Sequence, residues 1–178
     1  MSYMNEFIRL KCASDMLRFG LFPNAKEISE SFGAYNAVRQ HLRHLDRGDP
    51  RVTMIAVGDG RTPRTAATFA LRSAWQCHSV DPVLRPGGGH DIDRLTLQRT
   101  RAENATVVAT GPVVIVAVHS HAVLPAAVAM IRGPCTVDVV AIPCCVPQKL
   151  EQEPDVTYTD QNILSPARRV LVWRHVTR

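Results

Sequence analysis

Gly58 and Gly60 lie in the stretch MIAVGDGRTPRTAATFALRSAW, residues 54–75, between an apolar run and a helix-like segment. Glycine lets backbone N–H groups turn towards a ligand with no Cβ in the way. A helix opening just beyond adds a partial positive charge. Asp59 sits between the glycines, and Thr62, Arg64 and Thr65 add side-chain donors. Pro63 suits the first turn of that helix, where its missing N–H costs little. Asp81 follows Gly60 by 21 residues, at the end of the next apolar run. A carboxylate at such a place can accept both hydroxyls of a ribose, as in nucleoside-binding Rossmann folds.

His119 and His121 flank Ser120 at the end of the most apolar run in the chain, PVVIVAVHSH. In an extended strand, residues two apart point the same way, so both imidazoles could meet one metal ion. Asp81, His90, Asp91 or Cys144 would then be the third ligand. Alternatively one histidine is a general base for a hydroxyl or amine, since imidazole titrates near neutrality. A third reading has both hydrogen-bonded at a strand end. Cys144 and Cys145 offer a nucleophile or thiolate ligand, although cysteine is most often a buried structural residue. Trp75 and Trp173 read as core.

The elements that must position these residues follow from hydrophobic pattern. Apolar residues recur at helical spacing in residues 4–19, and Gly20 is a plausible stop. Asn24, with Glu27 three residues on, predicts a second helix through residue 45, loosened at Gly33 and ended by DRGDP. From residue 52 the chain alternates. VTMIAVG, WQCHSVDP, RLTLQRTRAE, PVVIVAVHSH, VDVVAIPCC and RRVLVWRHV read as strands; RTAATFALRSA and AVLPAAVAMIRG read as helices. VLRPGGGHDID and residues 146–166 read as loops. This order predicts an α/β fold: a mostly parallel Rossmann-like sheet with helices on both faces, preceded by N-terminal helices. One domain spans 1–178, with a helical segment over 1–50 and the Rossmann-like core over 51–178. In such sheets ligands bind beyond the carboxyl ends of strands, and Gly58-Asp59-Gly60, Asp81, Glu103, His119 to His121 and Cys144-Cys145 all fall at such ends.

The bulk numbers narrow the setting. Hydrophobic content of 46% and charged content of 21% over 178 residues suit a globular domain with a real core. No apolar run reaches membrane-spanning length, and the first twenty residues mix charges with apolar groups, unlike a secretory leader. Five cysteines without framework spacing then predict thiols in a reducing, intracellular compartment. The net charge of +5 is carried almost entirely by arginine, which suits phosphates. RNA or a nucleoprotein is therefore a candidate partner, and the face bearing Arg39, His41, Arg43, His44 and Arg47 a candidate surface.

Over residues 52–145, and less closely 168–178, the chain resembles the class I S-adenosylmethionine-dependent methyltransferases. IAVGDGRT resembles the family's first motif, SVDP its ribose-binding acidic strand end, and RAE a segment that often contacts adenine. The resemblance implies S-adenosylmethionine as cofactor. It places Gly58 and Gly60, with Asp59 and Thr62 in the same motif, at the methionine end, Asp81 on the ribose, Pro82 with Val83 on one adenine face and Glu103 beside the adenine. His119 and His121 would be catalytic or substrate-positioning. Ala56 stands where the family usually has an acidic residue, Thr62 replaces its third glycine, and one recognisable strand stands for its usual C-terminal strand pair. These departures support an alternative, a catalytically inactive methyltransferase-like scaffold docking into an RNA-containing assembly. A metal-dependent hydrolase using His119 and His121 is the third reading.

Overall fold

Asn24 behaves as the sequence predicts: its side-chain oxygen accepts the Glu27 N–H at 3.1 Å and starts the longest helix of the protein. The computed structural model describes residues 2–87, 91–145 and 148–177. Three helices open the chain: α1 (Tyr3–Ile8), α2 (Ala13–Arg18) and α3 (Ala25–His41). β1 (Thr53–Val57), α4 (Arg64–Ala70), β2 (Gln76–Val80), β3 (Leu95–Gln98), β4 (Val107–Val108) and β5 (Val113–Val118) follow. The chain ends with α5 (Leu124–Ala129), β6 (Ile131–Arg132), β7 (Val137–Ile142), β8 (Val156–Thr159) and β9 (Arg169–Trp173).

Seven strands form one sheet in the order β3-β2-β1-β5-β7-β9-β8, while β4 and β6 make a separate parallel pair. β3, β2, β1, β5 and β7 are mutually parallel. β9 runs antiparallel to both β7 and β8. The central parallel strands β1, β5 and β7 are buried along their whole length because both sides of the sheet are covered there, whereas β2 and β3, towards the edge, carry partly exposed polar residues. Met54, Ala56, Val114 and Val116 pack towards α1, α3 and α4; Ile55, Val57, Val113 and Ile115 pack towards α5 and the β4–β6 pair. This is the predicted α/β sheet with helices on both faces. Among the described residues, no helix is long and apolar enough to cross a membrane.

Several boundaries differ from expectation. Residues 4–19 hold two short helices rather than one, with Gly20 at φ 61° closing the second. α3 stops at His41 and passes through Gly33 without a break; an added Cβ at Gly33 would lie 2.6 Å from Ile163 Cδ1. Glycine at this position admits a neighbouring side chain and does not loosen the helix. The predicted third strand shortens to Leu95–Gln98. β8 lies inside the segment read as a loop: its residues alternate between half-buried and exposed, so VTYT presents no apolar run.

β1 has β2 on one side and β5 on the other, so the chain departs in opposite directions from this strand. A crevice opens above such a reversal, since the connections leave to opposite sides of the sheet.

Candidate functional site

The turn after β1 is shaped by its neighbours. Gly58 donates its N–H to the Val80 carbonyl at 2.9 Å and adopts φ 68°. A Cβ there would collide with Ser120, lying 2.7 Å from its Cβ and 3.0 Å from its Cα. Only glycine lets β1 leave the sheet this close to the end of β5. Two residues on, the Gly60 N–H donates to Asp81 Oδ2 at 2.8 Å, and Asp81 Oδ1 accepts the Val83 N–H at 2.8 Å. The carboxylate is only 7% exposed and ties the first turn to the second. A carboxylate has about four lone-pair sites, so these two bonds leave acceptor capacity for hydroxyls.

A cleft of about 480 Å³ opens beside this link. Gly58, Gly60, Asp81 and Pro82 line it from the first two turns. Glu103 and Arg101 contribute from the 3-10 turn Ala102–Asn104 and its preceding residue. His119 and His121 line it from the end of β5. Seven of the candidate site residues, from four separate places in the sequence, thus share one concavity. Arg64 also lines it, held by a 2.6 Å ion pair with Glu27 and a 2.7 Å bond to the Asp59 carbonyl.

Asp59 and Thr62 do not line it. Asp59 is 3% exposed and turns inwards, accepting the Thr65 and Ala66 N–H groups at 2.9 and 3.1 Å and the Ser79 hydroxyl at 3.0 Å. Burial raises its pKa above the ordinary carboxylate range, while the Arg64 guanidinium and the two N–H groups pull the other way. The Thr62 hydroxyl donates to the Leu21 carbonyl at 2.7 Å and ties the N-terminal segment to this turn.

The strand that the sequence extends through His121 ends at Val118. His119 takes φ 48°, which breaks the strand alternation that would have aligned the two imidazoles. His119 Nε2 lies 2.9 Å from the Ala167 carbonyl and Nδ1 3.3 Å from Glu30 Oε1. Both ring nitrogens therefore face acceptor oxygens of elements outside the strand. His121 is exposed, with Nε2 3.2 Å from Cys145 Sγ. The pair therefore does not converge on one ion. Asp81, Asp91 and His119 also lie outside the metal-capable group of three found among the described residues, and His90 falls outside those residues.

Cys144 and Cys145 are exposed, contrary to the expectation of burial; Cys77 is the buried cysteine. Its burial drives the thiol pKa up. Trp75 and Trp173 are core residues as expected, with indole N–H groups donating to the Asp46 and Gln152 carbonyls at 2.7 and 2.9 Å. Sequence reasoning missed Glu30, a 1% exposed acid on α3 that reaches His119 and also pairs with Lys26 at 3.0 Å. Nothing local marks it, because its partner is 89 positions away. Arg101 carried a signal: it opens the same RAE segment that ends in Glu103. Comparison of the sequence with protein-family models and with curated proteins finds no match.

Proposed function

We propose that the cleft binds the adenosyl part of S-adenosylmethionine and that the protein is methyltransferase-like. One observation carries this reading. Asp81 bonds the Gly60 N–H at 2.8 Å, and both residues border the cleft above the ends of the central strands. The β8–β9 pair adds support, since it supplies the C-terminal strand pair that the resemblance implies. On this reading Asp81 accepts the ribose hydroxyls, Glu103 meets the adenine edge, Pro82 covers one adenine face, and Gly58 and Gly60 let the methionine end approach the backbone. The bound cofactor would supply an activated methyl group. His119, engaged at both nitrogens, positions the wall. His121 is the exposed imidazole that could take an acceptor's proton.

Thermal unfolding with S-adenosylmethionine and S-adenosylhomocysteine tests the reading. A ligand that binds only the folded protein adds about 2.7 kcal/mol of stability at a hundredfold excess over Kd and so must raise the melting temperature. Flat melting curves with ligand at about millimolar concentration would overturn it.

A second reading, a non-catalytic scaffold, is favoured by one other feature. Arg39, Arg43 and Arg47 are exposed and line a separate cleft of about 280 Å³ beside the end of α3. Ala56 is buried among apolar side chains and contributes no charge. RNA binding at this face would weaken steeply with salt, because arginine–phosphate contacts release counterions.

A further inference from the structure

Cysteine is among the most buried residue types, yet Cys144 and Cys145 both stand exposed just after β7. His121, exposed after β5, turns Nε2 towards them. The Cys145 Sγ lies 3.2 Å from that nitrogen and 3.5 Å from the Cys144 Sγ. All three ligand atoms fall within 4.8 Å of one another. β5 and β7 are adjacent and in register from Val113↔Val137 to Val118↔Ile142, so the sheet brings the three side chains together.

These separations can be compared with a metal's requirements. Zinc binds thiolate sulfur at about 2.3 Å and imidazole nitrogen at about 2.0–2.1 Å. A tetrahedral ion therefore holds two sulfurs about 3.8 Å apart and a sulfur and nitrogen about 3.5 Å apart. The His121–Cys145 and Cys144–Cys145 separations are each within about 0.3 Å of those values, and the His121–Cys144 edge, within 4.8 Å, closes by rotation of exposed side chains. Two sulfurs and one imidazole select a soft or borderline ion; magnesium and calcium prefer oxygen.

We propose that His121, Cys144 and Cys145 bind one zinc-like divalent ion at the rim of the cleft. Both thiols lose their protons to solvent as the two sulfur–metal bonds form, and His121 binds through Nε2 as neutral imidazole. The fourth position is left to water or a small anion. The two cysteines also line a cavity of about 400 Å³ with Arg168 and Arg169, whose positive charge favours an anion there. The site does not depend on S-adenosylmethionine binding. Where both readings hold, the ion occupies the nitrogen that would otherwise accept a proton, so zinc would slow methyl transfer.

Cobalt(II) titration of the reduced, full-length protein tests the site without any cofactor. One equivalent should produce a thiolate-to-cobalt charge-transfer band, and zinc should displace it. Ion uptake should release about two protons per chain. The band should disappear in the C144S/C145S double variant and weaken by about tenfold or more in affinity in His121→Ala. It should persist in C12S/C135S. Melting curves of the ion-free variants should match the parent, since all three ligands are exposed. Absence of the band in the parent, or its survival in C144S/C145S, would overturn the proposal.

Discussion

The carboxylate of Asp81 and the backbone N–H of Gly60, 21 residues apart in the chain, are joined by a 2.8 Å hydrogen bond. That bond makes Asp81 a structural tie as well as a candidate ligand group. The two roles separate on substitution.

Asp81→Ala deprives the Gly60 and Val83 N–H groups of their acceptor and should cost about 1–3 kcal/mol. Asp81→Asn keeps one acceptor but points an amide donor at one of the two N–H groups, so it should destabilise too. Both variants should also lose affinity for S-adenosylhomocysteine measured by calorimetry below their melting range. Unchanged affinity in the folded Asn variant would remove the ribose role.

Asp59 should behave differently. Asp59→Ala strips two N–H groups of α4 and the Ser79 hydroxyl of their partner, a loss of about 2–4 kcal/mol. Its melting temperature should fall by about 5–10 °C. Nucleoside affinity of the folded variant should stay within about twofold of the parent, as the side chain faces away from the cleft.

Gly33→Ala should reverse the usual rule for helices. In an exposed helix the change stabilises by about 1 kcal/mol. Here the new methyl meets Ile163 Cδ1 at 2.6 Å and Cγ1 at 2.7 Å, and Ile163 is fully buried. Denaturant unfolding should show a loss of about 1–3 kcal/mol. In an Ile163→Ala background, the same glycine replacement should become neutral or stabilising.

Acid should weaken the fold through two histidines. Burial lowers the pKa of His78, and burial together with Arg174 and Arg43 lowers that of His41. Below about pH 6.5 the unfolded chain therefore binds more protons than the folded one at these positions. Their contribution to stability is complete above that range and declines as pH falls through it. Urea midpoints at pH 7.5 and 5.5 should differ less in a His41→Gln/His78→Gln variant than in the parent.

Much of the architecture was legible because its signals are local. The runs TMIAV, VVIVAV and VDVVAI become β1, β5 and β7, fully buried strands whose composition states their environment. The Asn24 cap and the glycine corner at Gly58 were visible for the same reason. β8 was not, since a half-exposed edge strand needs no apolar run and gains its identity from pairing with β9. The kink at His119 was also hidden, because partners outside the local chain, Glu30 and Ala167, hold the ring.

Residue pattern alone determined the α/β class and the strand ends at which polar groups gather, since burial of a strand dictates side-chain type along it. Tertiary structure alone decided which of those groups meet. Asp81, Glu103, Gly58 and His119 share a cleft, while Asp59 turns inwards to cap α4 and His121 turns to Cys145. The physical reason is that side-chain direction at a strand end depends on the next one or two backbone torsions, and packing against distant elements sets those.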